Sequence, residues 1–412
     1  MKVVIIGGGA AGFFAAINLK KFSSLIDVTI LEAAASPLAK VRVSGGGRCN
    51  LTNTFEEQMP LIKRYPRGEK VMRNCFRFFD HNATYDWFED HGVQLVRQDD
   101  HCVFPRSQSS SQIIDTFMAL VKELGVELKC HQRVSCVERQ GEGFAIHVEG
   151  AKDIMECDVV VATTGGSPTA AGVGLYSTLP IRFVDPVPSL FTFKISNNPI
   201  TELMGTVVES AVVSLKGSRM AGSGALLITH WGLSGPAVLK LSSYAARRLH
   251  EVDYRFEILI SWVGGVSQEE TLKLLLAHIA EHSKKLVGSV APFGLTARTW
   301  AHILRRADIS LERRYVELGS KGINRIVAAL CADEYSVDGR GTHKEEFVTC
   351  GGVAVGCINP ATMESRDCPN LYVAGEVVDV DAITGGYNLQ AAWSMGYVAA
   401  QNIYYKFEEL QQ

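Results

Sequence analysis

The feature that most constrains this chain is a glycine-rich turn at its start. An apolar run, Val3 to Ile6, leads into Gly7, Gly9 and Gly12 and then into a helical pattern. In such a strand–turn–helix unit the first glycine permits a tight turn and the second lets the backbone approach a pyrophosphate. The third lets helix and strand pack closely. The helix N-terminus supplies free N–H groups and a positive dipole end for phosphates. The pattern predicts an α/β domain that binds a dinucleotide.

An acidic residue at the expected distance supports this interpretation. Glu32 ends a second predicted strand, VTILE, twenty residues beyond Gly12 (32 − 12). A carboxylate there can accept hydrogen bonds from a ribose diol, and it would repel a 2′-phosphate. The alternative is a glycine-rich turn in an unrelated α/β protein, and the strand, the helix and the spaced acid together disfavour it.

The closing segment indicates which dinucleotide is bound. A predicted buried strand, LYVA, ends in Gly375 and Glu376, and Gly385 and Gly386 then precede a final helix. A carboxylate at the strand end can bind ribityl hydroxyls, and the glycines allow close backbone approach. The helix N-terminus can stabilise negative charge at the pyrimidine edge of a reduced flavin. These features favour FAD over NAD alone, although a C-terminal helix after an ordinary glycine loop is the alternative.

Residues 33–60 are predicted to form a long loop that contains the sequence SGGGRCN. Glycines 45–47 after Ser44 form a nest whose N–H groups could hold an anion, and Lys40, Arg42 and Arg48 add positive charge nearby. Cys49 lacks the second cysteine that a dithiol relay needs, since residues 50–54 are Asn-Leu-Thr-Asn-Thr. We expect the loop to bind the flavin or the substrate, and Cys49 to be a small buried thiol.

A third segment, VVVATTGG, is expected to return the chain past the dinucleotide. The predicted cofactor-binding residues come from this segment, the N-terminal glycine turn with Glu32, the SGGGRCN loop and the closing segment. Val134, in a predicted strand, is added to them. The set is Gly7, Gly9, Ala10, Ala11, Gly12, Glu32, Lys40, Ser44, Gly45, Gly46, Gly47, Arg48, Cys49, Asn50, Val134, Thr163, Thr164, Gly165, Gly166, Gly375, Glu376, Gly385, Gly386, Tyr387, Asn388 and Leu389.

Composition excludes several classes of protein. The chain has 412 residues and a net charge of −3, so we expect no nucleic-acid partner. The ten cysteines include no Cys-x-x-Cys pair, which argues for reduced thiols in a cytoplasmic protein and against a metal site. No signal peptide is recognisable, and no segment approaches the ~20 apolar residues of a spanning helix, so no membrane association is expected. The oligomeric state is not indicated by any pattern.

The order of predicted elements indicates an insertion in a discontinuous domain. An FAD-binding domain is predicted at 1–189 and 346–412, a β-rich insertion at 190–266 and 333–345, and a helical subdomain at 267–332. Short alternating strands after Pro180, such as LFTFKI and YRFEILISW, favour a small barrel or sandwich.

Several motifs together resemble a known family. They are GGGAAG at 7–12, SGGGRCNLTN at 44–53, ATTGG, THWGLSGPA at 229–237, TCGGV at 349–353 and GEVVDVDAITGGYNLQAAWSMG at 375–396. The chain resembles the bacterial HI0933-like flavoproteins, which include aminoacetone oxidase and BaiN-like flavin oxidoreductases. The resemblance implies a glutathione-reductase-like Rossmann FAD domain, a β-barrel-like insertion and a helical subdomain. It also implies that the loops at 44–50 and 375–388 line the flavin.

Two residues are candidates for catalysis. His230, in THWGLSGPA, could act as a general acid or base from the inserted domain, because its ordinary pKa lies near neutrality. Tyr387 could lie near the flavin. Both side chains could instead serve only packing.

The electron donor and the substrate remain open at this stage. No second Gly-x-Gly-x-x-Gly follows another strand, so a dedicated NAD(P)H domain is not predicted. One interpretation is an FAD-dependent reductase or dehydrogenase that uses NAD(P)H as a transient donor. Its small-molecule substrate would bind in a cleft between the FAD domain and the insertion. The others are an aminoacetone-type amine oxidase that uses O2, a non-catalytic flavin-binding sensor, and a flavoenzyme acting on RNA, which the net charge disfavours.

Overall fold

A computed structural model describes residues 1–167, 170–341 and 348–411. The strands in these residues are β1 (Lys2–Ile6), β2 (Asp27–Leu31), β3 (Thr52–Asn53), β4 (Leu95–Arg97), β5 (Cys102–Pro105), β6 (Glu127–Lys129), β7 (Val134–Gln140), β8 (Gly143–Val148), β9 (Met155–Cys157), β10 (Val159–Ala162), β11 (Phe183–Ser189), β12 (Phe193–Lys194), β13 (Val207–Leu215), β14 (Ala221–Ile228), β15 (Gly232–Ser234), β16 (Phe256–Ser261), β17 (Asp333–Val337), β18 (Gly339–Arg340), β19 (Val348–Val353) and β20 (Leu371–Val373).

The α-helices are α1 (Ala10–Phe22), α2 (Ala39–Gly47), α3 (Leu61–Arg64), α4 (Glu69–Cys75), α5 (His81–Asp90), α6 (Ser110–Glu123), α7 (Pro236–Glu251), α8 (Gln268–His282), α9 (Ala297–Arg306), α10 (Gly319–Cys331) and α11 (Tyr387–Gln411). Short 3-10 helices occupy Ala170–Tyr176, Pro199–Leu203, Val287–Ser289, Tyr315–Glu317 and Val355–Cys357.

The chain divides into two compact units. Unit 1 comprises residues 1–188 and 348–412, and unit 2 comprises residues 189–347. The sequence predicts the corresponding boundaries at residues 189 and 346.

A five-stranded parallel sheet is the centre of unit 1. Its order is β20-β10-β1-β2-β6, and β1 pairs in parallel with both β2 and β10. The chain order therefore reverses at β1, which makes the carboxyl end of this strand a topological switch point. Ligands of open α/β sheets bind at such points, because the loops there diverge and leave a crevice. The predicted Rossmann-type fold is confirmed.

Helices α1 and α11 lie close together in unit 1 because small residues face each other. A Cβ on Gly396 would lie 2.8 Å from the Ala11 carbonyl oxygen, so a larger side chain in α11 would push the helices apart. Around them the rings of Phe14, Trp87 and Trp393 form a buried aromatic cluster, with ring centroids 4.7 to 5.3 Å from that of Phe14. This packing fixes α11 against the helix that follows the glycine turn.

Smaller sheets complete unit 1. The antiparallel sheet β3-β5-β4 lies after the glycine loop in sequence, and β7-β8-β9 forms a second antiparallel sheet. Strand β11 pairs with β19. The prediction of a loop throughout 33–60 is wrong for residues 39–43, where α2 begins, and for residues 52–53, which form β3. The three glycines concealed this helix in the sequence, and its N-cap, Leu38, has a left-handed conformation rather than a capping side chain.

The sheet of unit 2 closes on itself. Its order is β17-β16-β13-β14-β15-β12-β18, and the two terminal strands are separated in the chain by Asp338 alone. The Asp338 N–H donates to the Lys194 carbonyl oxygen at 3.0 Å, and its carboxylate accepts from the Ser196 N–H at 2.9 Å. One bent strand therefore joins both edges, and the predicted β-barrel-like insertion is confirmed.

The helices of unit 2 share one apolar core with this sheet. Leu275 of α8, Trp300 of α9 and Leu330 of α10 are fully buried with sheet residues such as Val213 and Ile258. Among the described residues, every helix is too short or too polar to cross a bilayer. The same residues contain no group of three or more His, Cys, Asp or Glu side chains arranged to hold a metal ion.

Candidate functional site

The glycine turn after β1 has the geometry that a dinucleotide requires. Gly7 has a φ of 113°, its N–H donates to the Leu31 carbonyl oxygen at 2.8 Å, and a Cβ there would collide with the Thr163 carbonyl. A Cβ on Gly12 would collide with the Gly7 carbonyl oxygen. Gly9, in contrast, has no atom within 4 Å of the Cβ position. Two glycines are thus needed by the chain itself, and the third borders open space beside the α1 N-terminus.

Glu32 lies at the end of β2, against this turn. Its Oε2 accepts from the Gly8 N–H at 2.8 Å, and its Oε1 accepts from the Ala34 N–H at 2.7 Å. The two bonds fix the orientation of the carboxylate. Because an ionised carboxylate has about four acceptor positions, lone pairs remain for two hydroxyl groups of a ribose. The geometry fits the predicted role.

The segment after β10 closes the other side of the turn. The Thr163 hydroxyl donates to the Gly7 carbonyl oxygen at 2.9 Å, so Thr163 fixes the turn rather than presenting a free hydroxyl. Thr164 lies beside the buried Tyr176, whose pKa is raised by burial. Gly165 has a φ of 76° and open space at its Cβ position, whereas a Cβ on Gly166 would collide with Glu376 and Thr349.

Glu376 connects three distant segments of unit 1. Its Oε1 accepts from the Thr349 N–H at 2.8 Å, and its Oε2 accepts from Lys40 Nζ at 2.6 Å. The Glu376 side chain is 19% exposed and that of Lys40 is 49% exposed. Gly375 has a φ of 84°, and a Cβ there would lie 2.7 Å from Ala11 Cβ. The carboxylate is therefore held in place, with lone pairs left for ribityl hydroxyls.

The glycine loop breaks helix α2 at its end. Ser44 is extended, with a ψ of 146°, and the three glycines that follow have φ values of 57°, 69° and 83°. Nothing lies within 4 Å of the Cβ positions of Gly46 and Gly47, so the nest borders open space. Arg48 folds back onto the chain: its Nε donates to the Gly45 carbonyl oxygen at 3.0 Å, and its guanidinium lies 4.2 Å from the centre of the Phe104 ring.

Cys49 and Asn50 turn towards the protein. Cys49 is fully buried with a φ of 63°, and burial raises the pKa of its thiol to about 12. The thiol is protonated at neutral pH and is not a nucleophile. With its amide assigned to satisfy both neighbours, Asn50 donates to the Thr52 carbonyl at 3.0 Å and accepts from the Gly386 N–H at 3.2 Å. Asn50 thus connects the glycine loop to the closing loop.

Hydrogen bonds also fix the closing loop before α11. The Asn388 amide accepts from the Ala382 N–H at 2.9 Å and donates to the Ala382 carbonyl at 3.1 Å. Asn53 donates to the Gly385 carbonyl at 3.2 Å, and the Tyr65 hydroxyl donates to the Tyr387 carbonyl at 2.8 Å. Asn388 therefore shapes the loop, while Ala10, Ala11 and Leu389 occupy the first turns of α1 and α11.

An ion pair that sequence reasoning missed fixes the middle of this loop. Arg67 Nε donates to Asp381 Oδ1 at 2.5 Å, and a second guanidinium nitrogen contacts Oδ2. The Asp381 side chain is fully buried and that of Arg67 is 12% exposed. The sequence contained one signal for this ion pair: two aspartates lie inside the apolar run EVVDVDAI, and buried carboxylates are usually paired with a cation. The sequence did not reveal which cation, because Arg67 lies 314 residues from Asp381.

The two catalytic candidates differ from each other in burial and lie in different units. Tyr387 is buried in unit 1, where its ring contacts Phe55 edge to face at 5.2 Å. Burial raises the pKa of Tyr387 to about 12, so the phenol stays protonated. His230 is exposed in unit 2, in a turn closed by the bond from the Thr229 N–H to the Gly232 carbonyl. Val134, at the start of β7, is buried in the β7-β8-β9 sheet of unit 1.

These features together fit FAD. Open space adjoins Gly9, Gly46 and Gly165, where a longer side chain would intrude, and it borders the free N–H groups of the α1 turn. Two fixed carboxylates, Glu32 and Glu376, retain acceptor positions for sugar hydroxyls. The residues come from four separate segments of unit 1 that meet at the carboxyl end of β1.

Comparisons with known proteins agree with this site. The family model described as HI0933-like protein Rossmann domain matches residues 1–402. The 3-dehydro-bile acid delta(4,6)-reductase of Clostridium scindens is 26% identical over 412 residues, which cover 97% of this chain and 98% of that protein. The ribosomal RNA dihydrouridine synthase of Escherichia coli is 27% identical over 417 residues, which cover 97% of each chain.

Solved structures share the fold at low sequence identity. The 3-ketosteroid delta1-dehydrogenase of Sterolibacterium denitrificans matches with a TM-score of 0.54 and 11% identity, covering 98% of this chain and 99% of that one. Escherichia coli quinol fumarate reductase matches with a TM-score of 0.52 and 13% identity, covering 100% of this chain and 71% of that one.

Proposed function

This chain belongs to the HI0933-like family and is an FAD-dependent oxidoreductase, and we propose that it reduces an electron-poor carbon–carbon double bond in a small molecule. The observation that carries the proposal is the whole-length similarity to two proteins whose names both describe the reduction of a carbon–carbon double bond, one in a bile acid and one in RNA. One is named as a delta(4,6)-reductase of a 3-dehydro-bile acid, and the other forms dihydrouridine, which has two hydrogens more than uridine.

The proposed substrate has an alkene conjugated to a carbonyl group. Conjugation withdraws electrons from the distal alkene carbon, which makes it an acceptor for hydride, and a proton then completes the reduction. NAD(P)H and one proton supply the two electrons and two hydrogens that the product gains. We propose NAD(P)H as a transient donor, because the sequence contains no second glycine fingerprint for a resident nicotinamide cofactor.

The chain's own residues bind and orient the cofactor in this proposal. Gly9 and the α1 N-terminus would hold the pyrophosphate, Glu32 the adenosine ribose, and Glu376 the ribityl hydroxyls. Lys40 and the Thr349 N–H keep the Glu376 carboxylate in a single orientation. The FAD supplies hydride transfer, and the protein supplies binding and electrostatics.

His230 and Tyr387 are proposed as proton donors to the substrate. His230 is exposed, and histidine is the side chain that enzymes use most often for proton transfer. Tyr387 keeps its proton because burial raises its pKa. Unchanged rates of substrate reduction in His230→Ala and in Tyr387→Phe, with FAD fully retained, would exclude each residue in turn.

A second candidate substrate is a uracil ring in RNA, which is also an alkene conjugated to a carbonyl. A group of cations on two adjacent segments of unit 2 favours this substrate. Backbone contacts hold the two segments together: Leu286 forms a β-bridge with Arg314, and the Tyr315 N–H donates to the Lys285 carbonyl at 3.1 Å. The four cations there, Lys284, Lys285, Arg313 and Arg314, are exposed and form no ion pair with a described residue. Such a cluster can neutralise phosphates.

Anaerobic stopped-flow absorbance tests the proposal. The purified yellow protein is mixed separately with NADH and NADPH, and the reduced protein is then mixed with cyclohexenone, a 3-oxo-Δ4 bile acid or a uridine-containing RNA. Rapid bleaching followed by reoxidation with an enone supports the proposal. Reoxidation with RNA alone, weakened by salt and by Lys285→Gln with Arg313→Gln, supports the second candidate. No bleaching by either nicotinamide, with reduction by an amine and oxygen uptake, would replace both with an amine oxidase.

A further inference from the structure

Arg64, at the end of α3, is a buried cation without a carboxylate partner. The residue is 6% exposed, and no described carboxylate lies within 4.0 Å of its guanidinium. One terminal nitrogen donates to the carbonyl oxygens of Phe55, at 3.4 Å, and Glu57. The Nε atom is buried and makes no hydrogen bond in the part of the chain that the structure describes.

Aromatic rings surround this guanidinium instead of acids. Its carbon lies 4.8 Å from the centre of the Phe55 ring and 6.0 Å from that of Tyr387. Phe55 has a left-handed backbone, with a φ of 58°, and stacks on His81 at 4.7 Å. Backbone strain and an unpaired buried charge both lower stability, and such features persist where they serve a function. A charge in these apolar surroundings acts over a longer distance than a charge in water.

The backbone of Arg64 is bound to the closing loop. The Arg64 carbonyl oxygen accepts from the Ile383 N–H at 3.0 Å, so Arg64 is bound to this loop by its backbone. Its guanidinium carbon lies 6.0 Å from the centre of the Tyr387 ring, and Tyr387 is the first residue of α11. The positive charge therefore adds to the positive dipole end of α11, which follows Gly385 and Gly386.

We propose that Arg64 is a positioning residue whose uncompensated charge stabilises the negative charge of the reduced flavin, and so raises the reduction potential of the bound FAD. The charge acts through the Tyr387 ring and the α11 N-terminus rather than by touching substrate. An ion pair in place of the aromatic rings would cancel most of this field at the loop. The role requires that the guanidinium forms no ion pair, and no described carboxylate lies within 4.0 Å of it.

The inference rests on bound FAD alone and not on the proposed reductase activity. Its test therefore uses no substrate and no nicotinamide. The variants are Arg64→Met, Arg64→Gln, which keeps an amide donor for the Phe55 and Glu57 carbonyls, and Arg64→Lys, which keeps the charge. Arg77→Met is the matched control, because Arg77 is an exposed arginine of the same unit. FAD content is measured first in each protein.

The readouts are the midpoint potential of the bound FAD and the dissociation constant for sulfite, an anion that adds to oxidised flavin. We expect the loss of this charge to weaken sulfite binding roughly tenfold, which corresponds to about 1.4 kcal/mol. We expect this weakening and a more negative potential in Arg64→Met and Arg64→Gln. In Arg64→Lys and Arg77→Met the dissociation constant for sulfite should stay within about twofold of that of the unaltered protein.

Two results would overturn the inference. One is a sulfite constant and potential in Arg64→Gln that match the unaltered protein while FAD is retained. The other is a loss of FAD in all three Arg64 variants, including Arg64→Lys, which would show that the side chain's shape and not its charge is needed. Loss of FAD in the two neutral variants with retention in Arg64→Lys supports the role of the charge.

Discussion

Removing the Asp381 carboxylate should reveal how strongly the closing loop depends on one ion pair. In Asp381→Asn the volume of the side chain is kept, and Arg67 loses its two-point partner. Removing one partner of a buried pair costs about 3–5 kcal/mol, because the remaining charge stays desolvated. Asp379, which is 8% exposed and also acts on Arg67 electrostatically, compensates part of this loss. We therefore expect Asp381→Asn to lower the free energy of unfolding by about 3 kcal/mol.

This energy predicts a measurable shift in thermal stability. For a unit of this size, 1 kcal/mol corresponds to about 2–4 °C, so Asp381→Asn should lower the Tm of unit 1 by about 6–12 °C. The assay is differential scanning calorimetry together with the fluorescence of released FAD. Arg73→Met is the matched control, because Arg73 pairs with Glu69 while 71% exposed. That surface pair is worth only about 0.3–0.5 kcal/mol.

The double variant Arg67→Met with Asp381→Leu separates the pair from its burial. Since apolar residues of similar volume can replace a buried ion pair at little cost, the double variant should be more stable than Asp381→Asn. The reasoning is refuted if Asp381→Asn melts within 2 °C of the unaltered protein, since the carboxylate would then contribute no more than a surface pair does.

Three further outcomes follow from the same structure. Gly12→Ala should abolish FAD binding and destabilise unit 1, whereas Gly9→Ala should fold normally and bind FAD more weakly, as measured by FAD content and Tm. Cys49 should resist alkylation at pH 8 until the protein unfolds, because burial raises its pKa to about 12, as mass spectrometry of labelled peptides can show. Burial lowers the pKa of His302, so the unfolded chain gains a proton near pH 6.5 before the folded one. Denaturant titrations should therefore show stability falling below that pH, with a shallower slope in His302→Gln.

Local spacing explains which parts of the site were predictable from sequence. Gly7, Gly12 and Glu32 belong to one strand–helix–strand unit, so their roles follow from spacings of at most about twenty residues along the chain. Thr163 and Asn388 are predicted to bind the cofactor, and in the structure the side chain of each hydrogen-bonds to the backbone of a neighbouring turn. The segment 39–43 was predicted as loop and is helical, because the glycines after it dominated the local pattern and Leu38 is not a typical capping residue.

Long-range contacts explain what the sequence could not reveal. Lys40 and Glu376 are 336 residues apart, and Arg67 and Asp381 are 314 apart, so no local pattern relates them. Arg64 is an ordinary cation in a basic stretch of the sequence. Only the fold shows that Arg64 is buried and bound to the closing loop by its backbone. The rings of Phe55 and Tyr387 lie beside its guanidinium, whereas the guanidinium of a surface arginine is in contact with water.

The contacts between the two flavin loops imply that FAD binding and folding of unit 1 are coupled. Thr52 donates to the Gln390 side chain at 2.5 Å, and Gln390 donates to Ser394 at 2.9 Å, all buried. Together with the bond from Gly386 to Asn50, this network joins the glycine loop to α11. Since these hydrogen bonds join the two loops, a change that displaces one loop should also displace the other and weaken FAD binding. A ligand that binds only the folded state stabilises it by RT ln(1 + [L]/Kd), so saturation at about 100 Kd should add about 2.7 kcal/mol. Gln390→Leu should reduce this increment in unit 1, because it leaves Thr52 and Ser394 without a shared partner inside the protein.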